Sequence, residues 1–152
     1  MPAERWRVFL DTNVFIAGVV SRMGASAAIL DLGEAEEILL VVSRQVLVEA
    51  DRTFLAKFPQ MIERYRLFIK NVSPELADDA PPQMVRAAEA VIDLDDASIL
   101  AAAKRAHVDY LVTLNTRHFT TPKARAFFPA PIVTPAEFLA AFRDFWRRSA
   151  SA

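Results

Sequence analysis

The chain has 152 residues and no cysteine, which excludes disulfide bonds, zinc–thiolate sites and a thiol nucleophile. Its length suits a single domain, residues 1–152 with a core of about 6–142, and its balance of 18 basic and 19 acidic side chains argues against a non-specific coat for nucleic acid. No apolar run reaches the roughly 18 residues of a membrane span and none forms an N-terminal export signal, so we expect a cytoplasmic protein with no membrane partner.

Strand and helix patterns alternate along the whole chain. Continuous apolar runs such as residues 38–42 are typical of strands buried on both faces of a parallel sheet. The sequence therefore predicts an α/β sandwich with a short, mainly parallel central sheet flanked by helices. In the first half of the chain we predict a strand at 6–10, helical structure after 11 with interruptions near 18 and 24, a helix at 25–36 with position 33 as a possible terminator, a strand at 38–42, and helices at 43–58 and about 60–72. An acidic, proline-rich loop follows at 73–82. In the second half we predict a short helix at 83–91, a helix from 95 or 96 to 106, strands at 110–113 and 132–133, and a capping box at 134–137 that begins a helix ending at about 148.

Asp11 follows the first predicted strand directly, where a helix begins. A carboxylate at the end of a buried strand is costly unless it binds something, and parallel sheets place their sites beyond the carboxyl ends of their strands. Taken alone, Asp11 would read as a helix cap. Thr113 and Asn115 follow the third predicted strand in the same way, so they should lie at the same edge of the sheet. Turn chemistry explains those two residues equally well when each is taken singly.

Asp96 heads the apolar stripe of the strongest predicted helix, because apolar residues follow it at three, four and seven positions. Acidic side chains near the start of a helix interact favourably with the helix dipole, and Asp93, Asp95 and Asp96 would each stabilise the helix by about 0.3–1 kcal/mol in this way. This interaction does not explain why one of them points inward. Asp95 lies about 100° around the helix and suits the cap better. We therefore assign Asp96, and not Asp95, to the site.

Glu49 and the two histidines carry weaker signals. Glu49 borders the apolar face of its predicted helix, and periodicity alone indicates a solvated side chain. His107 ends the helix of Asp96, where a positive charge suits the helix dipole, and is read as structural. His118 lies near the predicted site, where contact with a phosphate competes with the simpler interpretation of an ordinary loop histidine.

Four segments, in order and at fitting distances, resemble the motifs of the PIN-domain family. Residues 8–16 resemble its opening motif, with Asp11 as the first acid. Glu49 and Asp96 match its second and third acidic positions, and residues 111–115 match its Thr-x-Asp/Asn segment. The similarity spans about residues 7–141 and implies a PIN-like three-layer sandwich. It also implies a metal-dependent ribonuclease, similar to the VapC-like toxins of toxin–antitoxin pairs.

The resemblance implies a catalytic set of Asp11, Glu49, Asp96 and Asn115. Oxygen ligands without cysteine favour a hard cation, Mg²⁺ or Mn²⁺. We expect Asp11 and Asp96 to contact the metal directly and Glu49 to contact it directly or through water. Asn115 departs from relatives with Asp at that place, because it offers a neutral oxygen, and leaves open whether one or two metal ions bind.

Four further residues are predicted to bind or orient the substrate. Thr113 is expected to orient water or a phosphate oxygen with Asn115, and Asn13 lies in the opening motif. Arg44 and Arg117 are expected to bind flanking phosphates.

The expected partners are an RNA substrate and, as family implications, a cognate antitoxin segment on apolar helical surface near the site and a second copy of the chain. The alternative is a non-catalytic PIN-like module that binds RNA or protein. A phosphatase with an aspartate nucleophile would need a second Asp where Asn13 stands, and a receiver domain would cluster its acids after the first strand. The last predicted helix should dock on the core. The side that we expect to make this contact carries Phe138, Leu139, Phe142, Phe145 and Trp146.

Overall fold

The computed structural model describes residues 5–151. Residues 1–4, which belong to the N-terminal segment in which no export signal was found, lie outside the described residues. The described part contains five strands, nine α-helices and one 3-10 turn, Pro59–Met61. In chain order the strands and α-helices are β1 (Arg7–Leu10), α1 (Thr12–Val20), α2 (Ala25–Glu34), β2 (Leu39–Ser43), α3 (Arg44–Lys57), α4 (Ile62–Val72), β3 (Glu75–Ala77), α5 (Pro82–Glu89), α6 (Leu94–Arg105), β4 (Tyr110–Val112), α7 (Thr116–Phe119), α8 (Pro122–Phe127), β5 (Ile132–Val133) and α9 (Pro135–Ser151).

All five strands are parallel and lie in the order β3-β2-β1-β4-β5. The central strand β1 pairs with both neighbours, so that Val8 lies opposite Leu40 of β2 and opposite Tyr110 of β4. Val8, Phe9 and Leu10 are completely buried, as the continuous apolar run predicted. The predicted α/β sandwich with a parallel sheet is confirmed, and the sheet has one strand more than expected.

The additional strand, β3, lies within the segment predicted as a loop. It is a three-residue edge strand in which only Ala77 is buried. Its N-terminal end is pinned by Arg7, whose guanidinium donates a hydrogen bond to Glu75 and forms an ion pair with it. The strand is preceded by Pro74 and by Ser73, whose backbone is left-handed with φ of 47°. Proline and serine are both common in turns, which is why the sequence predicted a loop here. A strand this short, with one buried side chain, has no apolar alternation that could be detected.

Two glycines predicted as helix breakers are sites of close packing. Helix α1 runs unbroken through Gly18, where a Cβ would lie 2.5 Å from Leu30 Cδ1 and 3.1 Å from the backbone oxygen of Ser26. Gly33 lies inside α2, which ends at Glu34, and a Cβ there would lie 2.5 Å from Leu40 Cδ1. The break predicted near position 24 is present. Within residues 5–151 no single helix is long and apolar enough to span a membrane; only α1 and α2 together meet the length and composition, and they bend by 95°.

The start of α6 differs from its prediction. The helix begins at Leu94 with Asp93 as the N-cap residue, so Asp95 is not the cap and lies in the first turn beside Asp96. At the other end His107 has φ of 53° and is exposed, which agrees with a structural role after the helix. The short helices α7 and α8, of four and six residues, had no detectable periodicity.

Helix α9 begins at the predicted capping box and continues past the predicted end. The backbone N–H of Thr134 donates to Glu137 Oε1 (2.9 Å), and the N–H of Glu137 donates to Thr134 Oγ1 (3.1 Å). Phe138 is completely buried, whereas Phe145 and Trp146 are 36% and 56% exposed. The first half of the helix therefore docks on the core as predicted, and the second half extends towards solvent.

Candidate active site

The predicted acidic residues come together at the carboxyl edge of the sheet. The backbone N–H of Asp11 donates to the carbonyl of Val112 (3.0 Å), so the chain leaving β1 lies beside the chain leaving β4. Glu49 reaches the same place from α3 and Asp96 from the first turn of α6. The result is one open cleft of about 490 Å³, lined by Asp11, Thr12, Asn13, Ile16, Ala17, Val20, Glu49, Thr53, Lys57, Phe58, Asp96 and Asn115.

Asp11 is the most enclosed carboxylate, with 5% of its surface exposed. Its Oδ1 accepts a hydrogen bond from the backbone N–H of Thr12 (2.8 Å), which makes it also the N-cap of α1. Its Oδ2 accepts from Thr113 Oγ1 (2.8 Å) and from Asn13 Nδ2 (3.3 Å). Burial raises the pKa of Asp11, and the negative charges of Asp96 and Glu49 add to this, against the opposing hydrogen bonds.

Thr113 and Asn13 hold Asp11 in place. Thr113 is completely buried, and its hydroxyl accepts a hydrogen bond from the backbone N–H of Asn115 (2.9 Å) while it donates to Asp11. Asn13 accepts from the backbone N–H of Leu114 (3.1 Å) through its Oδ1. Thr113 has no exposed surface, and its hydroxyl orients the carboxylate of Asp11 and the turn after β4.

Asp96 faces the cleft with 19% of its side chain exposed, whereas Asp95 is exposed at the surface. Its Oδ2 lies 3.5 Å from Asn115 Nδ2 and 3.4 Å from His118 Nδ1. Burial raises the pKa of Asp96, contact with His118 opposes the rise, and the charges of Asp93 and Glu49 increase it. The periodicity that pointed Asp96 inward and Asp95 outward agrees with this placement.

Glu49 is half-buried in the cleft, which periodicity did not indicate. Its Oε2 accepts a hydrogen bond from Thr12 Oγ1 (3.0 Å), and its Oε1 accepts from Gln45 Nε2 (2.9 Å). The sequence interpretation missed Thr12 and Gln45. A signal for Gln45 was available, because residues four positions apart on a helix are neighbours.

Comparison with known proteins assigns the chain to a family. A PIN domain family model matches residues 7–117, which is most of the chain. The chain belongs to the PIN-domain family. No protein of curated function matched the sequence.

Solved structures share the fold of this PIN domain at low sequence identity. VapBC2 from Rickettsia felis, solved bound to a DNA fragment from its promoter, is 16% identical with a TM-score of 0.64, over 84% of this chain and 98% of that chain. PAE2754 from Pyrobaculum aerophilum is 16% identical with a TM-score of 0.61, over 93% and 99%. FitAcB from Neisseria gonorrhoeae is 15% identical with a TM-score of 0.57, over 84% and 97%. The PIN domain described above therefore corresponds to nearly the full length of each of these chains.

His118 borders the acidic cleft of the PIN domain from the short helix α7, and is not in an irregular loop. Its Nδ1 lies 3.4 Å from a carboxylate oxygen of Asp93 and 3.4 Å from one of Asp96. Asp93, Asp96 and His118 form a second cluster of possible metal ligands, because one ligand atom from each lies within 4.8 Å of the others. Asp96 is therefore shared between this group and the cleft.

The two arginines predicted to bind phosphate do not line the cleft. Arg44 is exposed and faces a separate groove between α3 and α4, and Arg117 is exposed on α7. The cation that lines the cleft is Lys57, at the end of α3. Lys57 lies eight residues after Glu49 on the same helix, and residues spaced by four lie on neighbouring positions of one helix face. The spacing could therefore have indicated that Lys57 lies on the side of Glu49.

The donor chemistry of the cleft suits a hard divalent cation, although among the described residues the carboxylate oxygens of Asp11, Glu49 and Asp96 do not all lie within 4.8 Å of one another. Asp11, Glu49 and Asp96 offer carboxylate oxygens and Asn115 an amide oxygen, with no sulfur ligand. Burial and mutual repulsion raise the pKa of Asp11 and of Asp96, so a cation would relieve an unfavourable concentration of negative charge. Four other side chains that line the cleft, those of Ile16, Ala17, Val20 and Phe58, are apolar.

Replacement of Asp11 by Asn should be better tolerated in the metal-free protein at pH 7 than at pH 4. Burial holds the pKa of Asp11 above its ordinary value of 3.8, so the ionised side chain costs stability at neutral pH. An amide nitrogen cannot accept from Thr113 and Asn13, so Asp11→Asn loses those hydrogen bonds at both pH values, but only at pH 7 does it also remove the cost of the buried charge. We expect its stability relative to the parent to be more favourable at pH 7 by about 1 kcal/mol, or roughly 2–4 °C in unfolding temperature. Thermal unfolding of both proteins in EDTA at the two pH values measures this, and a difference that favours the variant at pH 4 would contradict it.

Proposed function

We propose that this PIN domain is a metal-dependent endoribonuclease that hydrolyses RNA phosphodiester bonds with Mg²⁺ or Mn²⁺. The observation that carries the proposal is the convergence of Asp11, Glu49 and Asp96, from three separate elements, on one cleft at the carboxyl edge of the parallel sheet. Asp11 and Glu49 accept hydrogen bonds from Thr113, Thr12 and Gln45, and Asp96 Oδ2 lies 3.5 Å from Asn115 Nδ2, so neighbouring groups restrain these side chains.

Asp11 and Asp96 would hold the metal ion, with Glu49 in direct or water-mediated contact. Bound there, such an ion polarises a scissile phosphate and lowers the pKa of an attacking water. Thr113 keeps Asp11 turned towards the cleft, and Asn115 lies beside Asp96.

The remainder of the cleft suits the groups that flank a scissile phosphate. The apolar side chains of Ile16, Val20 and Phe58 can pack against a nucleobase, and aromatic contacts of this kind are common in the recognition of single-stranded RNA. Lys57, which also lines the cleft, provides a positive charge for a neighbouring phosphate. Arg44 and Arg117, which lie outside the cleft, would contact only a longer RNA that continues over the surface.

We further propose that the protein is the toxin of a toxin–antitoxin pair, acts in the cytoplasm, and has a cognate antitoxin and a second copy of itself as partners. The sequence resemblance to VapC-like toxins supports this role, as does the fold shared over 98% of the VapBC2 chain. Induced expression of the parent should stop growth of the host, and expression of Asp96→Asn should not. Equal growth arrest by both would contradict a toxic activity that depends on this site.

Metal-dependent cleavage tests the ribonuclease proposal. Total cellular RNA incubated with the purified protein should be degraded in Mg²⁺ or Mn²⁺ and remain intact in EDTA. Cleavage that continues in EDTA would contradict a metal-dependent reaction. Intact RNA under all conditions, from a protein that binds Mn²⁺, would favour the non-catalytic RNA- or protein-binding module.

A further inference from the structure

We propose that Gln45 is a positioning residue of the metal site, which fixes the side chain of Glu49 and ties it to the helix that carries Asp96. This inference rests on the proposed function, because it assigns Gln45 a role in the same site. Gln45 is the second residue of α3, one turn before Glu49, and is half-buried.

The amide of Gln45 makes two hydrogen bonds in different directions. Its Nε2 donates to Glu49 Oε1 (2.9 Å) on its own helix and to the backbone carbonyl of Asp95 (3.2 Å) in the first turn of α6. An amide nitrogen has two hydrogens, so both bonds can form at once. Gln45 therefore connects the acid of α3 to the segment that presents the acid of α6.

These bonds belong to a longer chain of hydrogen bonds that begins at Thr12. Thr12 Oγ1 donates to the other oxygen of Glu49 at 3.0 Å, Glu49 accepts from Gln45, and Gln45 donates to Asp95. Thr12 is the residue after Asp11, and Asp95 is the residue before Asp96. The chain of hydrogen bonds thus joins the immediate neighbours of the other two acids, with Glu49 and Gln45 in the middle.

Glu49 needs such restraint because of its charge and its flexibility. It is partly exposed, and its side chain could rotate towards solvent, away from the like charges of Asp11 and Asp96. Thr12 holds one oxygen only. The amide of Gln45 holds the second oxygen and links α3 to the first turn of α6, so its loss should leave the side chain of Glu49 poorly directed.

Mn²⁺ affinity measured by calorimetry tests the assignment without RNA. Gln45→Met keeps the length of the side chain and removes both donated bonds, and partners that orient metal ligands typically contribute about 10–100-fold in affinity. We expect Gln45→Met to weaken Mn²⁺ binding about tenfold while the unfolding temperature of the metal-free protein changes by no more than about 2 °C. Gln83→Met, at an exposed position of α5, is the matched control and should bind as the parent does.

A double-mutant cycle shows whether Gln45 acts through Glu49. In a Glu49→Ala background Gln45 keeps only its bond to the carbonyl of Asp95, so Gln45→Met should cause a further loss of Mn²⁺ affinity well below the tenfold loss in the parent. A full tenfold loss in that background would overturn the positioning role, and so would unchanged affinity of Gln45→Met in the parent background. If the parent binds no Mn²⁺, the proposed function is overturned together with this inference. Binding that is independent of Gln45 overturns this inference alone.

Discussion

Asp96→Asn is expected to lower the rate of metal-dependent RNA cleavage by at least about 100-fold, because even partners that only orient a metal ligand contribute about 10–100-fold. The side chain of Asp96 faces the cleft beside Asn115 and His118. Its replacement by an amide removes a charged oxygen ligand with little change in shape. Cleavage of a labelled RNA under saturating Mn²⁺ measures the effect.

Asp95→Asn is the matched control, since it makes the same chemical change one residue earlier in the same helical turn. Asp95 is exposed, and only its backbone carbonyl takes part in the contacts of the site. We expect its cleavage rate to stay within about twofold of the parent, since it is neither a ligand nor a ligand partner. Equal losses in Asp95→Asn and Asp96→Asn would indicate a non-specific effect of charge at the start of α6, and would contradict the assignment of Asp96.

Phe138→Ala is expected to reduce the free energy of unfolding by about 3–5 kcal/mol, a large part of the roughly 5–15 kcal/mol that stabilises a typical domain. Phe138 is completely buried at the start of α9. Its ring meets Trp6 and Tyr110 edge-on, with centroids 6.0 and 5.3 Å apart, and is stacked with Phe142 at 6.2 Å. Truncation leaves a cavity among aromatic rings, which add about 0.5–1.5 kcal/mol per pair beyond their buried area.

Urea unfolding of Phe138→Ala and of Phe145→Ala provides the comparison. Phe145 lies two turns later on the same helix and also contacts Trp6, at 4.8 Å, but is 36% exposed. Its truncation should cost less than half as much as that of Phe138, because less apolar surface and a smaller cavity are involved. Similar costs for both variants would contradict the docking of only the first half of α9.

The parts of the fold that were predictable are those in which burial leaves a strong pattern. β1 and β2 are apolar on both faces because helices cover the sheet on each side, and their limits were found to within one residue. Asp11 and Asp96 were identifiable because each is a charge where the pattern demands an apolar residue. The capping box of α9 was readable because its two hydrogen bonds are local in sequence.

Features that depend on tertiary contacts were not predictable. Gly18 and Gly33 were predicted to break or end helices. Their packing role depends on Leu30 of α2 and Leu40 of β2, which approach them from other elements and could not be identified from the local sequence. Glu49 borders its helix face, and only the approach of Thr12 from α1 shows that it belongs to the cleft. Arg44 was expected near the site from its place at the start of α3, but it faces the groove towards α4.

Mn²⁺ binding measured by calorimetry on the parent, Asp11→Asn, Asp95→Asn and Asp96→Asn tests the central claim most directly, because it requires no choice of RNA. We predict that the parent and Asp95→Asn bind Mn²⁺ and that Asp11→Asn and Asp96→Asn do not. Folding of each variant is checked by its thermal unfolding in EDTA. Binding retained in both Asp11→Asn and Asp96→Asn, or absent from the parent, would contradict a metal site formed by these carboxylates.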